Sequence, residues 1–311
     1  MIESTSSLAT FQSCPKLYEF KYVKMLDAGG YSSALGLGIF FHAMVEEFTS
    51  GKMGAVEREL EWLLKKSPDA SNQISFDREL ALQLYEQWRA RWSQEDHPFK
   101  NDAFEWIASE KVWKFPICEG GRYLAGKSDG VLVHKAWGAT FLYELKTAAD
   151  RDRDSYINRL EIDSQVSNNI LALKAEGIDV QGVVYDIAWK PALRRLTGRK
   201  TKPDETQEEF NARIIEAIKA SPEDYFQRQI VYRRDTSLAW HLEDTKALYD
   251  AIAFAKQGNA FPRNTRNCDL YGKGSRCQFW GACIENSAEI ESLYARKDRK
   301  LPELPPEIQV E

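Results

Sequence analysis

The chain has 311 residues, of which 43% are apolar and 12% are aromatic, so it can bury a full hydrophobic core. No apolar run approaches the roughly 20 residues that span a bilayer, and the first residues lack the layout of a secretory signal, so we expect a cytoplasmic protein with no membrane partner. The net charge of −5 excludes a general attraction to nucleic acid, so any contact with phosphate has to come from a local basic patch.

Helices are predicted for the first part of the chain. The segment "LGLGIFFHAMVEEF" predicts a helix over residues 35–48, and apolar residues at three-to-four spacing predict an amphipathic helix over residues 76–92. Alternating polar and apolar residues then predict three consecutive strands joined by short turns, a meander. These strands cover residues 103–117, 121–135 and 139–148.

Helices and strands alternate in the second half of the predicted structure. The predicted elements are a helix over 158–177, a strand over 180–190, a helix over 204–221, a strand over 225–234 and a helix over 237–258. The tail over 301–311 is Pro-rich and acidic, so we expect it to be frayed. The order of elements predicts an α/β (α+β) fold.

Two opposite charges lie on one face of the strand over residues 139–148. With a strand period of two, Glu144 and Lys146 share a face with Leu142. An antiparallel pairing through the short turn before this strand can bring Asp129 close to them. Two carboxylates suit Mg²⁺ or Mn²⁺, and a lysine beside the metal can orient a water and stabilise charge on a phosphate. The alternative is an ion pair that blunts a sheet edge.

These residues resemble the core of the PD-(D/E)XK nucleases, and "GKSDGVL" and "YELKTA" are similar to its RecB-type branch. Three further segments resemble that branch in the same chain order. "GLGIFFHAMVEEF" resembles its upstream helix with a histidine, here His42, and "SEKVWKFPI" its strand with a glutamate, here Glu110. "SQVSNNILAL" resembles its downstream helix with a glutamine, here Gln165. The chain departs from the family at Asn169, where the Q-x-x-x-Y pattern has a tyrosine.

The resemblance implies a restriction-endonuclease-like core, with a central mixed sheet flanked by helices. The implied metal ligands are His42, Asp129, Glu144 and the carbonyl of Leu145. The implied catalytic residues are Lys146, Glu144, Asp129 and Gln165, with Glu110 in support. Imidazole and carboxylates together suit Mn²⁺ as well as Mg²⁺. The implied reaction is in-line attack of a metal-activated water on a phosphodiester.

The five cysteines are Cys14, Cys118, Cys268, Cys277 and Cys283. In a cytoplasmic protein the C-terminal three favour a metal site over a disulfide, although free thiols are the alternative. A zinc ion or a [4Fe–4S] cluster needs four thiolates. The segment "FQSCPKLYEF" resembles the one around the first cluster cysteine of AddB-type and CRISPR-adaptation nucleases. This resemblance implies a [4Fe–4S] cluster that joins the two ends of the chain, with structural Zn²⁺ as the alternative. The implied ligands are Cys14, Cys268, Cys277 and Cys283.

Six basic residues and no acidic one occur in "WKPALRRLTGRKTKP". They are Lys190, Arg194, Arg195, Arg199, Lys200 and Lys202. A charge run of this kind is usually a solvated loop. Beside a nuclease site it would attract phosphate, so we expect DNA contacts that weaken steeply with salt and show little sequence preference.

The resemblance implies one nuclease domain over residues 1–311. Its parts are an N-terminal helical part (1–100), a catalytic core (101–190), the basic loop (191–203), C-terminal helices with the cysteines (204–290) and a tail (291–311). The expected function is that of a metal-dependent DNA exonuclease or end-processing nuclease in recombination or repair, encoded by a phage or mobile element. The expected partners are DNA, a single-strand annealing or binding protein, and further copies of the chain. The alternative is a non-catalytic DNA-binding module that keeps the fold and the cluster.

Overall fold

The computed structural model describes residues 1–94, 99–118, 121–149, 153–198, 203–268, 276–285, 288–301 and 304–309. The strands are β1 (Ile2–Ser4), β2 (Leu26–Asp27), β3 (Phe104–Cys118), β4 (Arg122–His134), β5 (Ala139–Ala149), β6 (Gly182–Lys190), β7 (Phe226–Val231) and β8 (Ala295–Arg296). The α-helices are α1 (Thr5–Ser13), α2 (Pro15–Tyr18), α3 (Ser33–Ser50), α4 (Ala55–Lys66), α5 (Ser71–Trp92), α6 (Arg153–Leu160), α7 (Ser164–Ala175), α8 (Gln207–Ala220), α9 (Pro222–Tyr225), α10 (Asp235–Gln257), α11 (Trp280–Glu285) and α12 (Ala288–Glu291).

The central sheet is built on the antiparallel meander of β3, β4 and β5. Strand β3 pairs along one edge of β4. The other edge of β4 is divided between β1, which pairs with residues 123–125, and β5, which pairs with residues 130–134. Strand β6 then pairs parallel with β5, and β7 pairs antiparallel with β6. The predicted meander and the mixed sheet are confirmed.

Helices cover both faces of the sheet. Successive residues of a strand point to opposite sides, so neighbouring residues of β5 pack against different helices. Tyr143 and Leu145 of β5 are buried in the cluster that contains residues of α3, α4 and α5. Leu142 of the same strand is buried with Val166 and Ile170 of α7. Strand β5 is therefore covered on both sides, so a charged side chain on it is costly unless it finds a partner.

The single helix predicted over residues 158–177 is wrong. Helix α6 ends at Leu160, and α7 begins at Ser164 after a short break. Asp163 occupies the N-cap of α7, where its Oδ1 accepts a hydrogen bond from the backbone N–H of Gln165 at 2.9 Å. Aspartate is among the residues preferred at this position, so it starts a new helix inside the continuous apolar pattern.

The expectation of a frayed tail is wrong for residues 304–309. Leu304 is buried, and the Gln309 side-chain amide donates a hydrogen bond to the carbonyl of Leu301 at 2.7 Å. The burial of Leu304 and the hydrogen bond from Gln309 hold this segment against the rest of the protein. Within the described ranges, no helix is long and apolar enough to cross a bilayer.

The N-terminal strand is tied to the C-terminal segment through a buried carboxylate. The Glu3 side chain is fully buried, and its Oε2 accepts a hydrogen bond from Ser7 Oγ at 2.7 Å. Its Oε1 accepts hydrogen bonds from Tyr18 Oη at 2.6 Å and Lys300 Nζ at 2.7 Å, and Lys256 Nζ lies at 3.2 Å. A buried charge needs this full set of partners, which come from both ends of the chain.

Candidate active site

Strands β4 and β5 bring Asp129 and Glu144 together. The last pair of their ladder is Gly130 with Tyr143, so Asp129 and Glu144 are the next residues along the two strands. Asp129 Oδ2 accepts a hydrogen bond from the backbone N–H of Leu145 at 2.8 Å. The aspartate therefore reaches β5, as the turn length suggested, and a backbone donor fixes its carboxylate.

Lys146 projects from β5 beside this pair. Its Nζ lies 2.6 Å from Glu144 Oε1, donates to Gln165 Oε1 at 2.9 Å and lies 3.9 Å from Asp163 Oδ2. Burial by itself lowers the pKa of Lys146, but the charges of Glu144 and Asp163 outweigh burial and raise it. The ammonium therefore stays charged at neutral pH. A permanent positive charge suits stabilisation of a phosphate better than proton abstraction.

Glu144 is the most deeply buried charged residue of the site, with 1% of its side chain exposed. Burial raises its pKa, the Lys146 charge opposes this effect, and the Asp129 charge adds to it. Its Oε2 also accepts a long hydrogen bond of 3.4 Å from Asn169 Nδ2. The carboxylate is thus held between an ammonium and an amide, and a bound cation would favour its ionised form.

Helix α3 brings His42 to the same place. Its Nδ1 lies 3.8 Å from Asp129 Oδ1. The helix approaches β5 closely at Gly38, where an added Cβ would lie 2.9 Å from Thr147 Oγ1. Partial burial lowers the pKa of His42, and Asp129 opposes this effect. The imidazole is therefore neutral at neutral pH, which is the form that binds metal ions.

Glu110 of β3 supplies a third carboxylate. It lies opposite Asp129 on the adjacent strand, because its two neighbours pair with Gly130 and Ser128 of β4. Its φ of 52° lies in the left-handed region, which is strained for a residue with a side chain. Burial raises the pKa of Glu110 to about 7, an effect that its salt bridge with Lys127 opposes and Asp129 reinforces. Strain of this kind concentrates at functional sites, which favours a role for Glu110 beyond that of an ordinary strand residue.

The donor set suits a hard divalent cation. In an octahedral ion with bonds of about 2.1 Å, adjacent ligand atoms lie roughly 3 Å apart, so His42 Nδ1 and Asp129 Oδ1, at 3.8 Å, need to approach each other slightly to share a cation. As the side chains stand, no group of three or more His, Cys, Asp or Glu residues within the described ranges is arranged to hold a metal ion. In this arrangement each oxygen of Glu144 has one hydrogen-bond partner, Lys146 on Oε1 and Asn169 on Oε2. His42, Asp129 and Glu144 are the residues that would hold Mg²⁺ or Mn²⁺; the predicted part of the Leu145 carbonyl stays a prediction.

Four of the five cysteines line one cavity of about 180 Å³. They are Cys14, Cys268, Cys277 and Cys283, and all carry free thiols. Burial raises the pKa values of Cys277 and Cys283, and the neighbouring thiols add to the effect. Residues 269–275 lie outside the described residues. Cys118 is at the end of β3 and does not line the cavity. The N-terminal and C-terminal cysteines thus meet, although the described thiols are not arranged as a preformed metal-ligand group.

The described residues of the predicted basic loop do not form one patch. Lys190 ends β6, and its Nζ donates to the carbonyl of Ala34, in the first turn of α3, at 2.6 Å. Arg194 and Arg195 have exposed side chains farther along, close to the buried Glu205. Lys190 therefore lies on the α3 side of the sheet, whereas the arginines lie near an acidic residue. The remaining predicted contacts, Arg199, Lys200 and Lys202, lie outside the described residues.

Two charged residues of the site were not singled out from the sequence. Asp163 contributes a carboxylate 3.9 Å from Lys146, and its sequence signal is the N-cap pattern before α7. Lys127 pairs with Glu110, and the strand period places it on the same face of β4 as Asp129. Neither signal is specific by itself, because both depend on which strands and helices pack together.

Comparison with protein families matches residues 3–284 to the PD-(D/E)XK nuclease superfamily. No curated protein matches the chain. Among solved structures, a crystal structure of a "putative exonuclease" from Eubacterium rectale matches with a TM-score of 0.49 and 12% sequence identity, over 92% of this chain and 88% of that chain.

Proposed function

The chain belongs to the PD-(D/E)XK nuclease superfamily, and from that premise we propose that it hydrolyses phosphodiester bonds of DNA with Mg²⁺ or Mn²⁺. The observation that carries the proposal is the convergence of Asp129, Glu144 and Lys146 at one end of the β4–β5 ladder. A chain that had kept only the fold would have no need to retain two carboxylates and an ammonium in this buried place, where unpaired charges are costly.

Each residue of the set has a distinct role in this proposal. His42, Asp129 and Glu144 would hold the cation, which when bound supplies a Lewis acid and an activated water. Lys146, kept protonated by its carboxylate neighbours, stabilises negative charge on the phosphate in the transition state. Gln165 accepts a hydrogen bond from Lys146 at 2.9 Å and so fixes the direction of the ammonium.

A degradation assay tests this proposal. End-labelled single- and double-stranded DNA is incubated with the wild-type chain and with Mg²⁺, Mn²⁺ or a chelator. We expect cleavage only with metal, and a loss of about a hundredfold or more in Lys146→Ala, since removing one preorganised charge-stabilising donor has such effects. Lys135→Ala, an exposed lysine in the turn after β4, is the matched control and should keep wild-type activity. Absence of metal-dependent cleavage on every substrate would overturn the proposal and favour the non-catalytic module.

We propose further that the substrate is a DNA end that is processed in recombination or repair. In that process the chain would act with a single-strand annealing or binding protein and with further copies of itself. The basic residues support backbone contact, because phosphate binding by lysine and arginine does not depend on sequence. Lys190 lies on the α3 side of the sheet, near enough to His42 for its charge to lower the pKa of the imidazole, and is the described residue of the loop that we expect to contact the backbone. Binding should therefore weaken steeply with salt. Covalently closed circular DNA that is cut as fast as linear DNA would contradict the requirement for an end.

We also propose that the four-cysteine cavity binds a [4Fe–4S] cluster, which would place the chain in the RecB-type branch with AddB-type nucleases. Four thiols from both ends of the chain around a cavity of about 180 Å³ support this proposal. Four thiolates are the ligand set of such a cluster and also of structural Zn²⁺. Metal analysis of anaerobically purified protein distinguishes iron with sulfide from zinc.

A further inference from the structure

Helix α7 carries two side-chain amides whose spacing matches that of two active-site residues. Gln165 and Asn169 are four residues apart on the helix, which corresponds to about 6 Å along its axis. Glu144 and Lys146 are two residues apart on β5, which corresponds to about 6.6 Å along the strand. Gln165 contacts Lys146 at 2.9 Å and Asn169 contacts Glu144 at 3.4 Å. One face of α7 therefore contacts both Glu144 and Lys146.

Trp113 determines which way the Asn169 amide points. The indole N–H of Trp113 donates to Asn169 Oδ1 at 3.0 Å, and both side chains are almost fully buried. An indole can only donate, so it must meet the amide oxygen and not the amide nitrogen. The NH₂ group of Asn169 is thereby turned towards Glu144 Oε2 as a hydrogen-bond donor.

The neighbouring strand leaves room for this arrangement. Trp113 of β3 pairs with Gly126 of β4, and a Cβ at Gly126 would collide with the indole ring. The absence of a side chain there lets the large ring lie across β4 and reach α7. The indole of Trp113 thus packs over Gly126 and bonds to Asn169. Asn169 is the position at which the family pattern has a tyrosine.

We infer that Asn169, oriented by Trp113, is a positioning residue that holds the Glu144 carboxylate in the direction it needs for the metal. This inference rests on the proposed function. Glu144 is 1% exposed, so protein donors and not solvent set the direction of its carboxyl group. Beside Lys146, the amide of Asn169 is the donor on its second oxygen. Second-sphere donors of this kind typically change metal affinity by about ten- to a hundredfold.

Mn²⁺ affinity, measured by calorimetry on protein without DNA, tests this inference apart from activity. We expect Asn169→Leu, which keeps the size but not the donor, to weaken Mn²⁺ binding by about tenfold or more. Asn168→Leu is the matched control. Asn168 is the adjacent buried amide, but it contacts Thr5 and His241, so its loss should lower stability and leave Mn²⁺ affinity unchanged.

Trp113→Phe keeps Asn169 and removes only the donor that orients it, so it provides a second test if Asn169→Leu does not fold. We expect weaker Mn²⁺ binding by several-fold, because the amide can then present its oxygen to Glu144. Wild-type Mn²⁺ affinity in both folded variants, or in Trp113→Phe if it alone folds, would overturn the inference. Absence of Mn²⁺ binding by the wild-type chain would instead overturn the proposed function.

Discussion

The Lys146 ammonium lies 2.6 Å from the Glu144 carboxylate on a strand that is covered by helices on both faces. Removing such a pair from water costs several kcal/mol per ion, so its mutual attraction adds little net stability. Two apolar residues would fill the same strand at lower cost. We therefore interpret the pair as part of an active site. Its metal affinity and the stability of the fold should both depend on pH.

Metal binding should strengthen as pH rises. Burial raises the pKa of Glu144 above 4.5, so at lower pH a bound cation must displace a proton, and affinity rises by up to about tenfold per pH unit. His42 adds no competing proton near neutral pH, because burial lowers its pKa. Calorimetry with Mn²⁺ at several pH values, with Glu144→Gln as the control, measures this slope. An affinity independent of pH would contradict the assignment of Glu144 as a ligand.

Stability without metal should change in the opposite sense. A carboxyl whose folded pKa lies above its unfolded value stabilises the fold below the unfolded pKa and loses that contribution as pH rises through the folded one. For Glu110 the window runs from 4.5 to about 7, and Glu144 acts in the same direction. Added Mn²⁺ should restore stability at the upper end of this window, by preferential binding to the folded state. Thermal unfolding of Glu110→Gln and Glu144→Gln against wild type checks this expectation.

Asp163 should have two separable effects, because it both caps α7 and lies 3.9 Å from Lys146. Asp163→Asn keeps a good N-cap, so we expect stability within about 0.5 kcal/mol of wild type, whereas Asp163→Ala should cost about 1 kcal/mol. Both changes remove the charge near Lys146, so we expect the same few-fold loss of cleavage rate in each. Wild-type cleavage by Asp163→Asn would show that only the cap matters.

Loss of a cluster ligand should affect colour and folding together. We expect Cys268→Ala to be colourless and more sensitive to protease, since cluster binding and folding are coupled. Cys118→Ala is the matched control, because Cys118 does not line the cavity, and it should retain the iron content of wild type. A stable brown Cys268→Ala protein would rule out Cys268 as a ligand.

Glu3 should support the fold at neutral pH and lose this effect in acid. Burial raises its pKa, but Lys300 and Lys256 outweigh burial, so the folded pKa lies below 4.5. The contribution is therefore present above pH 4.5 and is lost as pH falls through the folded pKa. We expect Glu3→Gln to lower the free energy of unfolding by about 2 kcal/mol at neutral pH and by less in acid. Chemical denaturation measures it, with the exposed Glu208→Gln as the control; equal stability of the two variants would contradict the role of Glu3.

The sequence by itself determined the elements whose signals are local. Alternation over residues 139–148 placed Glu144 and Lys146 on one face of a strand, and short turns predicted the meander that carries Asp129 beside them. These inferences succeed because side-chain direction in a strand depends only on its period of two. The helical pattern was misleading at residues 158–177, where the apolar pattern continues but the Asp163 cap begins a new helix.

Only the tertiary structure decided which groups surround these charges. Nothing local in the sequence relates Trp113 to Asn169, 56 positions away, or Glu3 to Lys300, 297 positions away. Such contacts depend on the packing of whole elements, and the free energy that selects them is spread over the buried core rather than over any short segment. The sequence therefore specified the chemistry of the strand, and the fold determined how each charge is held.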